Sequence, residues 1–114
     1  METYKRKHTF EQRKNESTKV MSRHVLSVPI IVEPQNERIV RIDKIKFLVP
    51  KDLMFSQFIF VIRKRLNINS SQSIFVFADN VLPQQSESIQ ALYKRYRDED
   101  GFLYLKYSFE NTFG

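Results

Sequence analysis

The chain contains no cysteine and no tryptophan, and only two glycines, Gly101 and Gly114, among its 114 residues. Without cysteine there can be no disulfide, no thiolate metal site and no cysteine nucleophile. Two isolated glycines cannot build a glycine-rich phosphate loop, and no metal-ligand spacing is present. Histidine is equally scarce: only His8 and His24 offer a base near neutral pH, and neither has an evident nucleophile at hand. An enzyme is therefore the least expected class. No apolar run approaches the ~20 residues of a transmembrane helix. The segment Met1 to Lys7 has no apolar stretch behind it, so it does not read as a secretory signal. The expected address is the cytosol.

What the chain does have is a core. Hydrophobic residues make up 41% of it, including ten Phe, and the length suits one domain. The net charge of +6 is uneven. Residues 1–27 carry seven basic and three acidic side chains, whereas residues 98–114 carry one and four. The basic end could meet nucleic acid, anionic lipid or an acidic partner, or could simply be a solvated helix face.

Thr9-Phe10-Glu11-Gln12 reads as a capping box that opens a helix ending near Arg23. Phe10, Ser17, Val20, Met21 and His24 fall on one face of it. Glu2 to Lys7 reads as a further short turn. Val28 to Glu33 is β-branched and reads as a strand; Pro29 places a strand start there or an edge. Ile39 to Val49 reads as a second extended segment, giving a hairpin. Leu53 to Leu66 is the strongest helix, with Asp52 as N-cap and Arg63-Lys64-Arg65 in the last turn. Ser73 to Ala78 reads as a strand, Ser86 to Tyr96 as a short helix and Phe102 to Tyr107 as a final strand. This order gives an α+β fold: a ubiquitin-like β-grasp core over 26–108, an N-terminal helical extension over 1–25 and a flexible tail over 109–114.

Gly114 ends that tail. A glycine carboxyl has no Cβ to block a narrow channel or shield its carbonyl. The position suits a carboxyl that is activated and transferred, although a frayed end gives the same sequence.

Three stretches carry a resemblance: Phe47-Leu48-Val49-Pro50-Lys51-Asp52-Leu53 running into Gln57-Phe58 and Ile62-Arg63-Lys64-Arg65; Asp98-Glu99-Asp100-Gly101-Phe102-Leu103-Tyr104 running into Tyr107-Ser108; and Glu110-Asn111-Thr112-Phe113-Gly114. Phe10-Glu11-Gln12-Arg13-Lys14 and Val28-Pro29-Ile30-Ile31 fit as well. The chain resembles the autophagy ubiquitin-like modifiers of the GABARAP type over nearly its whole length. The resemblance implies a scaffold with no bound cofactor. Its terminal glycine is adenylated with ATP by an activating enzyme, passed as a thioester through a carrying enzyme and joined to the amine of phosphatidylethanolamine. A cysteine protease processes or releases it. Gly114 is then the electrophile, presented by Asn111 and Phe113. The modifier is monomeric and cytoplasmic before conjugation and on the autophagosome membrane after it.

The resemblance also implies two pockets for a short aromatic-x-x-aliphatic motif of cargo receptors. Glu16, Val20, Pro29, Lys46, Leu48 and Phe102 would take the aromatic residue. Phe47, Val49, Pro50, Leu53, Phe58 and Val61 would take the aliphatic one, and Lys44, Lys46 and Arg65 an acidic flank. Phe75, Val76 and Phe77 match a second surface, for helical partners. The alternation of strand side chains independently turns Lys46 and Leu48 one way, and Phe47 and Val49 the other. The chain departs from the family at Ser27, where an Arg is usual, and in a shortened 34–39 loop. Two rivals share parts of this reading: a modifier joined to protein lysines, and a basic microtubule- or nucleic-acid-binding module. Nucleic acid is not expected, because most aromatics follow core periodicity.

Overall fold

The β-branched run after Ser27 forms β1 (Ser27–Pro34), which becomes an inner strand of a four-stranded sheet. The computed structural model describes residues 1–110. Its other elements are α1 (Tyr4–Lys7), α2 (Phe10–Arg23), β2 (Lys46–Pro50), α3 (Phe55–Leu66), β3 (Phe75–Ala78), α4 (Ile89–Tyr96) and β4 (Leu103–Ser108). The sheet order is β2-β1-β4-β3. The central pair β1 and β4 is parallel, and both outer pairs are antiparallel.

Period-two alternation splits the strands between two faces. Val28, Ile30 and Val32 of β1 join Phe47, Val49, Val76, Leu103, Leu105 and Tyr107 on one face, under Phe55, Phe58, Ile59 and Ile62 of α3 and Ile89 and Leu92 of α4. The Phe47 and Phe58 rings meet edge to face, 5.4 Å between centroids, a geometry that adds ~0.5–1.5 kcal/mol to their burial. On the other face Tyr4, Ile31 and Phe102 form a smaller cluster beneath the N-terminal helices. The result is the ubiquitin-like α+β fold, with a helical addition on the far side of its sheet.

The capping box at the start of α2 forms as read: the Gln12 amide donates to Thr9 Oγ1 at 3.1 Å, and the Thr9 amide to Gln12 Oε1 at 2.9 Å. Phe10, expected on the buried face, is instead 47% exposed and lies under the Arg13 guanidinium. Pairing of Arg13 with the buried Asp100 ties this helix to the turn before β4, at 2.5 Å. Asp100 also accepts from the Tyr104 hydroxyl and the Phe102 amide.

Several boundaries differ from the sequence reading. β1 is not an edge strand. Its ladder with β4 starts only at Ile30, so the missing N–H of Pro29 breaks no bond on that side. The expected second strand shrinks to Lys46–Pro50, and Ile39 to Ile45 is irregular. There the Tyr107 hydroxyl donates to the Val40 carbonyl at 2.6 Å and accepts from the Ile42 amide at 2.8 Å. These bonds replace a ladder. α3 starts at Phe55 with Met54 in the cap position. Asp52 lies in the turn closed by the Leu53 amide on the Pro50 carbonyl. β3 begins at Phe75 rather than Ser73. α4 begins at Ile89, capped by the Ser88 hydroxyl on the Ala91 amide. Phe109, expected in a flexible tail, rests against the Tyr107 ring at 6.4 Å. The remaining tail, Asn111 to Gly114, lies outside the described residues.

Candidate functional site

Among the described residues, β2 has β1 on one side and no strand on the other. The Lys51 amide donates to Leu26, and the Val32 amide to Ile45, at the two ends of their ladder. Bonded residues alternate in an antiparallel pair. Between those ends Phe47 and Val49 therefore bond to β1, while Lys46 and Leu48 turn their backbone N–H and C=O to the open edge. An extended chain could add there as a further strand.

The side chains of the same two residues frame a cavity of about 430 Å³ between α2 and the sheet. Its floor is apolar: Val20, Pro29, Phe47, Leu48 and Phe102. Its rim is cationic: Lys19, Arg23, Lys44 and Lys46, with His24 among them and Glu16 as the one acid. All six residues assigned from sequence to the aromatic pocket line this cavity. Lys19, Arg23 and His24 were not foreseen as lining. The signal was available, because 16, 19, 20, 23 and 24 share one face of a helix.

Electrostatics tighten the mouth. Lys46 Nζ lies 2.7 Å from Glu16 Oε2, and the Tyr4 hydroxyl donates to Glu16 Oε1. Burial pushes the Glu16 carboxyl up, but hydrogen bonds from Lys46 and Tyr4 outweigh it and hold the group below its ordinary value. Tyr4 moves the opposite way, raised first by burial and then by its bond to Glu16. Lys44 lies over the Phe47 ring at 5.0 Å.

The residues assigned to the aliphatic pocket are less closely gathered. Phe47, Val49 and Phe58 are buried in the main core. Leu53 packs at its margin, half-buried, while Pro50 is exposed. Val61 is 38% exposed and opens onto a separate depression with Asp43, Phe60, Lys64 and Arg65. Arg65 is paired there with Asp43 at 3.2 Å and does not line the cavity beside β2. The proposed second surface also splits. Val76 faces the main core, Phe77 is almost fully buried at the edge of a polar cavity, and only Phe75 is partly exposed.

Comparison with known proteins decides the family. The family described as "Autophagy protein Atg8 ubiquitin like" matches residues 12–114. The chain belongs to the Atg8 family. It is 45% identical to autophagy-related protein 8 of Pichia angusta over 112 residues, 97% of this chain and 90% of that protein. It is also 45% identical to autophagy-related protein 8e of Arabidopsis thaliana, over 97% of this chain and 92% of the relative. The crystal structure of Trypanosoma brucei ATG8 superposes with a TM-score of 0.90 at 43% identity, covering 100% of this chain and 99% of that one. Plasmodium falciparum Atg8, solved in complex with a peptide of Plasmodium falciparum Atg3, gives a TM-score of 0.88 at 32% identity, covering 96% and 98%. As an Atg8 protein, the chain is an autophagy ubiquitin-like modifier. Among the described residues no helix is long and apolar enough to cross a membrane, and no group of acids and histidines could hold a metal ion.

Proposed function

We propose that this Atg8 chain is conjugated through the Gly114 carboxyl to phosphatidylethanolamine, and that on the membrane it collects partners through the open edge of β2 and the cavity beside it. The observation that carries the recruiting half is the coincidence of an unpaired strand edge with an apolar-floored, cation-rimmed cavity. An aromatic side chain of a partner's aromatic-x-x-aliphatic motif would fill the cavity while its backbone pairs with Lys46 and Leu48. Burying ~150–250 Å² of aromatic surface at ~25 cal/mol/Å² contributes roughly 4–6 kcal/mol before binding costs. Exposed ion pairs at the rim add only ~0–1 kcal/mol each. The aromatic residue therefore sets affinity, and an acidic flank sets rate and choice.

The conjugating half is supported by family membership. The Gly114 carboxylate attacks ATP to give an acyl adenylate and pyrophosphate. A cysteine of the activating enzyme displaces AMP, and a second cysteine on the carrying enzyme takes over the thioester. The lipid amine then forms the amide and releases the thiol. The relative captured with an Atg3 peptide supports a conjugation-pathway partner of this kind. Two acyl chains anchor a protein stably, where one does not. The chain then divides between cytosol and autophagosome membrane according to its conjugation.

Reconstitution with the two enzymes, ATP and phosphatidylethanolamine liposomes tests this. A product that floats with liposomes and disappears on deletion of Gly114 is expected. A thioester that transfers only to protein lysines would replace the lipid with a protein target.

A further inference from the structure

The rim of the cavity beside β2 continues into the turn between α2 and β1. The Ser27 amide donates to the His24 carbonyl at 3.0 Å, which makes Val25 and Leu26 the central residues of that turn. Such positions ordinarily carry Pro, Asp, Asn or Gly, because those residues preset or tolerate the backbone. Here both side chains are large and apolar. At 67% and 78% exposure they are the most exposed large hydrophobics among the described residues. Neither adds to the core, and both break local turn chemistry. Positions that break local rules without a packing gain tend to serve a site.

The turn lies at the Pro50 end of β2, one strand in from the open edge. The Leu26 carbonyl accepts from the Lys51 amide at 2.9 Å, and Ser27 is paired with Pro50, so the turn flanks the far end of β2. His24, its first residue, lines the cavity. Along a strand added to β2, side chains on one face recur every second residue, roughly 6.6 Å apart. With an aromatic side chain in the cavity, the next side chain on that face toward Pro50 would lean across the end of β2 toward the turn. The cavity rim carries Lys19, Arg23, Lys44 and Lys46, but residues 25–28 carry no charge. The two ends of the site therefore differ in chemistry.

We propose that Val25 and Leu26 form an apolar subsite that selects, in a peptide bound along β2, an apolar rather than an acidic residue two places from the aromatic one, at the Pro50 end. This deepens the peptide-binding reading above and rests on it.

The test uses the full chain and four synthetic peptides with one shared aromatic-x-x-aliphatic core. One pair carries leucine or aspartate two residues after the aromatic, and the other pair two residues before it, so that either strand direction is covered. Calorimetric titration should show one leucine peptide binding roughly three- to tenfold tighter than its aspartate twin, a difference of one side-chain contact. The double substitution V25S/L26S should erase that preference and leave the other pair unchanged. Both positions are exposed, so thermal melting should match the parent chain. If all four peptides bind and neither pair discriminates, the subsite is overturned while the peptide site stands. If none binds, the peptide site falls and the subsite with it. Self-association of the free chain that V25S/L26S abolishes would assign the turn to a second copy and overturn the proposal.

Discussion

Lys46 and Glu16 close the mouth of the cavity against each other, Nζ to Oε2 at 2.7 Å. An acidic partner must compete with Glu16 for that ammonium. Glu16→Gln should therefore raise affinity for an acidic-flanked peptide by roughly two- to fivefold, on the scale of an exposed ion pair. Lys46→Ala should lower it, and both effects should shrink in high salt. Calorimetry at two ionic strengths checks this. The same pair gives a stability signature. The folded Glu16 carboxyl titrates below its ordinary value, because hydrogen bonds from Lys46 and Tyr4 outweigh burial. Its contribution is present above the ordinary carboxylate value, ~4.3, and is lost as pH falls through the folded value. Urea midpoints measured from pH 6 down to 2.5 should fall less steeply in Glu16→Gln.

Phe47 and Leu48 are neighbours with opposite fates. Phe47 is packed into the main core at 8% exposure and only borders the cavity floor, while Leu48 is 40% exposed at the cavity. Phe47→Ala should cost about 3–5 kcal/mol of stability, as core aromatic truncations do. Leu48→Asp should leave the melting temperature nearly unchanged and reduce peptide affinity at least tenfold. A large loss of stability in Leu48→Asp would contradict the assignment of faces.

That alternation was legible in Lys46-Phe47-Leu48-Val49 because a strand's side-chain period is two, whatever surrounds it. α3 was legible from the spacing of Phe55, Phe58, Ile59 and Ile62 for the same reason. The segment Ile39 to Ile45 misled because its apolar residues fit a strand. What holds it irregular is the Tyr107 hydroxyl, 65 positions from Ile42, and no local pattern encodes a contact at that separation. Asp52 had the right chemistry for a cap but lay two residues too early. Lys44 and Lys46 were legible as cations of the rim, but its helical part, Lys19, Arg23 and His24, shows only as a stripe at helical spacing. Ser27, where the family usually has an Arg, is half-buried next to the exposed Val25–Leu26 turn.

Tyr107 makes its own prediction. Its hydroxyl is the shared partner of the Val40 carbonyl and the Ile42 amide. Tyr107→Phe keeps the ring and removes both bonds, leaving the Ile42 amide, buried in this packing, without an acceptor. A loss of about 1–3 kcal/mol is expected for an unsatisfied buried group. Hydrogen exchange should speed up selectively at Ile42, with the α3 amides changing only as global stability changes.

Gly101 is held at φ +92, and a Cβ placed there would meet Ser17 Oγ at 2.4 Å. Ser17 in turn donates to the Asp100 carbonyl, so α2 approaches this turn as closely as a backbone without a side chain allows. Two costs follow for Gly101→Ala. The positive φ costs on the order of 1–2 kcal/mol for any L-residue, and the clash adds a displacement of α2. Removing the hydroxyl as well, in S17A/G101A, relieves the closest clash but leaves the residue-17 Cβ at 3.0 Å and the backbone strain. Denaturant unfolding should therefore show the double variant more stable than Gly101→Ala and still less stable than Ser17→Ala alone. If the double variant matched Ser17→Ala, backbone strain would be negligible and the glycine would be required only for space. If it were no better than Gly101→Ala, the close approach of Ser17 would be irrelevant. Because Phe102 follows directly and floors the cavity, Gly101→Ala should also weaken peptide binding by several-fold, whereas Tyr107→Phe, further along β4, should not.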